Sequence, residues 1–253
     1  MSTNDAILHI DGLTKRYRNL VAVDDVDVEI PPGQFVALIG PNGAGKSTLM
    51  GCMAGTVSAD EGSVHIDGIE VTDEPVEARR RLGYVPQHLT LLDYLTGEEY
   101  LDFVADLREL DHQQRDAEIG ELLALTELED SRDAILREYS GGMLRKLALS
   151  AALIGSPRLL VLDESFVGLD PESTHRLRQK LKAHCEGGGA ILLSSHILDM
   201  LEPMCDRFLI LDEGKLARDV GSAQLEELRQ TKAVSDLTDL YLQTTGKVGT
   251  VAG

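Results

Sequence analysis

The chain has 253 residues, 43% of them hydrophobic and 26% charged, enough to bury a sizeable core in one large domain or a domain with a subdomain. Forty-three acidic against 24 basic side chains give a net charge of -19. That charge repels phosphate backbones and anionic headgroups, so direct nucleic-acid binding and direct lipid insertion are disfavoured and any membrane association goes through a protein partner.

The acidity is otherwise the ordinary signature of solubility or of a salty environment. MSTNDAILHIDG has no basic region before an apolar run, and no stretch approaches the roughly 18 apolar residues of a membrane helix, so a cytoplasmic chain is expected. VAVDDVDVEI (21–30) alternates apolar and acidic residues, the period of a half-exposed strand. PPG (31–33) ends it, and QFVALIG follows as a short apolar strand of the buried kind. The first strands are expected to form a hairpin beside a buried parallel core. Cys52, Cys185 and Cys205 lack metal-ligand spacing and read as reduced thiols without a role.

GPNGAGKST (40–48) satisfies G-x-x-x-x-G-K-[ST] between that strand and the helix opened by KSTLMGCMAG, the context in which such a loop holds phosphates. Gly43 and Gly45 let the backbone turn and aim its N–H groups inward, and the helix N-terminus adds positive potential. Lys46 should reach the β- and γ-phosphates of a nucleotide, and the Ser47 hydroxyl should bind Mg²⁺. From about 88 to 157, LTGEEYLDFVADLREL and RDAEIGELLALTEL carry apolar residues at helical spacing, so this block is expected to be a helical subdomain inserted into the α/β core of 1–87 and 158–230.

Two further buried-strand segments, RLLVLDE (158–164) and GAILLSSH (189–196), are each followed by helical sequence, which predicts a mostly parallel α/β sheet. The first delivers Asp163 to the carboxyl edge of the sheet, where it can hold the hydration shell of Mg²⁺. Glu164, one residue on, can orient or deprotonate the water that attacks the γ-phosphate; taken alone, it is an ordinary solvated acid at a strand end. Near the end, DRFLILDEGKLARDV alternates around an Asp-Glu-Gly turn as a hairpin does. SAQLEELRQ has Ser222 at a helix-capping position, and the tail is expected to fray after about Lys247. Residues 1–245 are expected to be a single domain and 246–253 a tail.

The ordered set GPNGAGKST, YVPQH, YSGGM, LLVLDE, GLD and SSH resembles the nucleotide-binding domains of ABC transporters from about residue 7 to 220. The resemblance implies an α/β P-loop NTPase of RecA-like type, with an N-terminal antiparallel β part, that binds ATP and Mg²⁺. It places Gly40, Pro41, Asn42, Gly43, Ala44, Gly45, Lys46, Ser47 and Thr48 on the phosphates and Tyr17 on the adenine ring, where ring area supplies most of the affinity. Tyr17 could instead be a core residue of the first strand pair. By the same resemblance Gln87 joins the metal site to the helical block, His196 contacts the γ-phosphate and Asp170 crosses a dimer interface. Outside that context Gln87 would be a plain loop residue and His196 a surface side chain.

In the family two such domains meet head to tail, so Ser140, Gly141 and Gly142 would face ATP held by the phosphate loop of a second copy, most simply a homodimer. Two departures from the family pattern are visible: YSGGM stands for LSGGQ, with Tyr139 and Met143 flanking the phosphate contact, and Ser165 stands where proline is usual after the catalytic glutamate, removing a rigid φ. With one phosphate loop and no membrane segment, the sequence looks like the ATPase subunit of a transporter whose membrane protein is encoded separately. HLTLLDYLTGEEYLDFVADL lies where the family docks that protein, although its leucines could equally pack the helical block. LTDLYLQTTGK and the Gly-Met signature resemble exporters. Two alternatives stand beside this reading: a non-transport ABC ATPase acting on ribosomes or DNA, whose members in the family resemble tandem domains or carry long coiled-coil insertions, and an ATP-dependent regulatory module without turnover, against which Glu164 and His196 argue.

Overall fold

The computed structural model describes residues 6–246, so the segment expected to fray after Lys247 lies outside the described residues. In chain order the elements are β1 (Leu8–Tyr17), β2 (Leu20–Ile30), β3 (Phe35–Ile39), α1 (Lys46–Met53), β4 (Glu61–Ile66), β5 (Ile69–Glu70), α2 (Pro75–Arg80) and β6 (Leu82–Val85). There follow α3 (Gly97–Leu107), α4 (His112–Thr126), α5 (Gly141–Leu153), β7 (Leu159–Asp163), α6 (Pro171–Glu186), β8 (Ala190–Ser194) and α7 (Leu198–Leu201). The chain closes with β9 (Arg207–Asp212), β10 (Lys215–Gly221), α8 (Ser222–Gln230) and α9 (Leu237–Thr244).

The strands form two sheets. One is antiparallel in the order β2-β1-β4-β5; the other runs β10-β9-β3-β8-β7-β6, parallel from β9 to β6 with β10 antiparallel at its edge. The hairpin expected at the N-terminus is β1–β2, while β3, after the PPG turn, enters the other sheet between β8 and β9. In β3, β7 and β8 every residue is buried, which is why they read as continuous apolar runs rather than alternating ones. Their side chains still alternate between two cores. Val36, Leu38, Leu159, Val161 and Leu192 face the antiparallel sheet and α1, while Ala37, Ile39, Leu160, Leu162 and Leu193 face the helices.

In β2 the alternation slips by one residue: Val23 is buried, then Val26, Val28 and Ile30. Asp25, at the slip, has φ of 52° and its N–H donates to the Thr14 hydroxyl at 3.1 Å. A bulge that two aspartates fill keeps valines on the core face on both sides of it.

Between β6 and β7 the chain is helical, and the sequence supplies the caps. Thr96 and Glu99 form a reciprocal capping box at α3, Asp111 caps α4, and Ser140 caps α5 through the Met143 N–H at 3.2 Å. Ser222 departs from expectation. It is the first residue of α8, the cap is Gly221 without a side-chain bond, and the Ser222 N–H donates to the Asp206 carbonyl at 2.7 Å. Gly221 is still paired with Arg207 across the β9–β10 hairpin, so the strand register takes the chain into the helix and leaves the serine one position too late. Cys52, Cys185 and Cys205 are all buried free thiols; burial pushes Cys185 up to about 12, consistent with inert core residues.

Candidate active site

The carboxyl ends of the four neighbouring strands β3, β8, β7 and β6 converge on one edge, the position at which open α/β sheets bind ligands. From β3 the chain runs through residues 40–45 into α1. From β6 it passes Pro86 to Gln87, from β7 it delivers Asp163 and Glu164, and from β8 it delivers Ser194, Ser195 and His196. Residues 42–48 together with Tyr17, Leu20, Ala22, Gln87, Asp163 and Glu164 enclose a cavity of about 410 Å³. Tyr17 is 45% exposed at its rim, which removes its reading as a core tyrosine, and the Lys15 ammonium lies 5.3 Å from its ring centroid.

The phosphate loop is shaped by its glycines. Gly45 has φ of 103° at the cap of α1, and a Cβ there would collide with the Ala22 carbonyl oxygen. Only glycine allows both that backbone angle and that approach. The Lys46 ammonium donates to the Gly40 carbonyl at 2.7 Å and the Pro41 carbonyl at 3.1 Å, which bends its side chain back over the loop.

Asp163 is 1% exposed, and the Ser194 hydroxyl donates to its Oδ1, so a carboxylate that would otherwise be costly to bury is held by a hydrogen bond. Glu164 has φ of 51°, the left-handed region that costs a non-glycine residue about 1–2 kcal/mol. Its N–H donates to the Ser194 carbonyl at 3.2 Å and hydroxyl at 3.1 Å, and its Oε2 lies 2.8 Å from His196 Nδ1. The glutamate side chain is 13% exposed, the histidine 66%. A carboxylate is thus aimed at the cavity and tied to an imidazole that solvent or a ligand can reach. Ser165 is wholly buried and its hydroxyl donates to the Asp163 carbonyl at 3.4 Å.

Ser140, Gly141, Gly142 and Asp170 do not line this cavity. Ser140, Gly141 and Asp170 are exposed at the starts of α5 and α6, and the Gly142 backbone packs close to the Gly168 carbonyl. The signature segment and the Asp170 loop therefore adjoin each other on a second surface. Asp170 caps α6 through the Ser173 N–H at 2.8 Å, also accepts from the Ser173 hydroxyl at 2.7 Å, and pairs with Lys146 at 3.0 Å. The two Ser173 bonds and then Lys146 hold its carboxyl far below the usual carboxylate range.

Tyr139 is 7% exposed and its hydroxyl donates to the Ser131 carbonyl at 2.7 Å, a bond worth about 1 kcal/mol. A Cβ at Gly97 would collide with that hydroxyl, so the glycine that opens α3 makes room for the tyrosine. The departure at position 139 is accommodated inside the helical block, while Ser140 and Gly141 remain exposed. Sequence reasoning missed Ser194, Arg145 and Lys146; the detectable signal for Ser194 was a serine ending the apolar run AILLS, which the fold sets in register with Asp163.

The family model described as ABC transporter matches residues 23–167. The chain belongs to the ABC transporter ATP-binding family. The Nod factor export ATP-binding protein I of Cupriavidus metallidurans is 34% identical over 236 residues, covering 93% of this chain and 77% of that protein. The daunorubicin resistance ATP-binding protein of Streptomyces coeruleorubidus is 32% identical over 245 residues, covering 97% and 76%. Among solved structures, an ATP-binding subunit of an ABC transporter superposes with a TM-score of 0.88 at 32% identity, covering 94% of this chain and 99% of that one. A dimeric post-hydrolysis state of an ATP-binding cassette bound to ADP and Pi superposes with a TM-score of 0.79 at 26% identity, covering 85% and 98%. The chain is thus an ABC-type ATPase with a P-loop NTPase fold. No helix among the described residues is long and apolar enough to cross a membrane.

Proposed function

We propose that this cassette is the ATP-hydrolysing subunit of an exporter, acting from the cytoplasmic face on a separately encoded membrane protein. The observation that carries the reading is the division of the family's motifs between two surfaces: a phosphate cavity on one, and the exposed start of α5 beside Asp170 on the other. A single copy holds two half-sites. Two copies arranged head to tail would cover each nucleotide with the Ser140 hydroxyl and the Gly141 and Gly142 N–H groups of the other, with Asp170 at the seam.

Within each cavity, the loop N–H groups of residues 42–48 and Lys46 hold the phosphates, Tyr17 stacks on the adenine, and Glu164 accepts the proton of the attacking water while His196 orients it and meets the γ-phosphate. Mg²⁺ fits the donors available: the Ser47 hydroxyl, the buried Asp163 carboxylate and the Gln87 amide oxygen are hard oxygen ligands, and no cluster of three His, Cys, Asp or Glu that could hold a metal exists among the described residues, in keeping with an ion that takes its other ligands from phosphate and water. When bound, it neutralises charge on the β- and γ-phosphates.

The core of 1–87 and 158–230 and the helical subdomain of 88–157 would then move relative to each other through a cycle of closing and opening that drives the membrane partner. Tyr94, Phe103 and Leu107 are exposed, and Tyr84, Leu89, Leu91 and Tyr100 line a groove of about 210 Å³, features suited to an apolar element of that partner. Leu89 and Leu91 themselves pack on the core, as the packing alternative for this segment expects. The export direction follows relatives named for Nod factor export and drug resistance. Affinity purification of the cassette from detergent-solubilised cells should bring down one polytopic membrane protein, and substituting Tyr94 and Phe103 by Ser should release it. Recovery of ribosomes or DNA in its place rejects the transporter reading.

A further inference from the structure

Below the exposed edge of Ser140 and Gly141, α5 carries two adjacent cations that reach different loops of the same chain. The Arg145 guanidinium donates through both terminal nitrogens to the Gln87 carbonyl at 3.3 Å, and to the Pro86 carbonyl at 3.4 Å. It is half-buried, and the charges of Asp163 and Glu164 act on it against its burial, so it lies within electrostatic reach of the carboxylates at the cavity. The Lys146 ammonium pairs with Asp170 at 3.0 Å and Glu127 at 3.5 Å. At the other end of α5, Arg108 donates to the carbonyls of Ile154 and, at 3.0 Å, Leu82, and Gly83 packs so closely under the Ala152 carbonyl that a Cβ would not fit. Helix α5 is therefore fixed at the foot of β6 by Arg108, whereas Arg145 ties it to the loop at the head of β6.

We infer that Arg145 is a positioning residue that couples occupancy of the chain's own phosphate cavity to the presentation of its signature edge to a second copy. The inference rests on the two-copy reading above. Gln87 lines the cavity of its own chain, and its backbone carbonyl is the main acceptor for Arg145; Ser140, Gly141 and Gly142 open the same helix, one to two turns away. Any shift of residues 86–87 on nucleotide binding displaces two acceptors of one planar guanidinium. Because a packed helix transmits displacement along its axis, the N–H groups at its start follow. Lys146 ties the same turn to Asp170, so the edge that faces the second copy responds to one loop through each cation. A lysine at 145 has one charged nitrogen and cannot bridge two carbonyls with the fixed fork of arginine.

The test uses Glu164→Gln protein, in which dimer formation is followed by sedimentation against ATP concentration. With Arg145 present, the dependence on ATP should be cooperative. Adding Arg145→Ala should raise the half-maximal ATP concentration about tenfold and bring the Hill coefficient from about 2 to about 1, and Arg145→Lys should fall between the two. Binding of a fluorescent ATP analogue to the monomer should change less than about twofold, with an unchanged melting temperature. Identical dimerisation curves with and without Arg145 overturn the inference and leave the two-copy reading standing. Equal losses of monomer binding and melting temperature in both Arg145 variants also overturn it, since they mark a purely structural role. Failure of Glu164→Gln itself to dimerise with ATP overturns the two-copy reading and the inference with it.

Discussion

Glu164→Gln should lower ATP turnover about a hundred- to ten-thousandfold, the contribution of a positioned general base, while ATP binding survives. The substitution keeps the volume and the hydrogen-bonding reach of the side chain, so the contact with His196 can persist at its 2.8 Å spacing, but an amide cannot accept the proton of a water. The backbone at Glu164 is held at φ of 51° by two bonds from its N–H to Ser194, and those bonds do not depend on the side chain. Stability should therefore stay within about 0.5 kcal/mol of the parent. Phosphate release measured beside equilibrium nucleotide binding decides the matter: turnover within twofold of the parent removes Glu164 from the chemistry.

Gly45→Ala should damage both fold and ATP binding. The added Cβ meets the Ala22 carbonyl oxygen of β2, which is backbone and cannot swing away, and it does so at φ of 103°, a region closed to L-residues. The cost is about 3–5 kcal/mol if the loop keeps its shape. The loop can escape only by moving off β2, which opens the cavity and misdirects the N–H groups of residues 43–48. The expected outcome is a lower melting temperature together with a loss of ATP affinity of about a hundredfold or more. Wild-type affinity in this variant contradicts the assignment of the cavity.

The phosphate loop, Asp163 and the alternation of strands and helices were legible because each is a local pattern: a motif of fixed spacing, or an apolar run whose length and ending name its place. The bulge in β2 leaves one trace in the sequence, the consecutive Asp24 and Asp25 that interrupt the alternation of VAVDDVDVEI, but that Val23 and Val26 share a face across it is set by pairing with β1. The cap of α8 was misplaced for a comparable reason, since Gly221 is held by strand pairing with Arg207, which no local signal encodes. The pairing of Tyr139 with Gly97 and of Arg145 with Gln87 joins residues 42 and 58 positions apart, and such long-range complementarity leaves no trace in either segment alone. By contrast the signature edge was found from order and resemblance, which also implied that it faces the ATP of a second copy; the structure shows its separation within one chain, since Ser140, Gly141 and Gly142 do not line the phosphate cavity.

That separation is the central claim, and mixing two inactive variants tests it most directly. Lys46→Ala disables the cavity. Gly141→Asp disables the signature edge without disturbing the fold, because a Cβ at Gly141 meets nothing within 4 Å while the carboxylate would repel the γ-phosphate. Each variant alone should lack turnover. In a mixed pair, one of the two sites combines an intact phosphate loop from the Gly141→Asp chain with an intact Ser140 edge from the Lys46→Ala chain, so mixing should restore ATP hydrolysis in proportion to the mixed pairs formed. Full activity in Gly141→Asp alone, or no recovery in mixtures that demonstrably pair, would contradict an ATP site built from two chains.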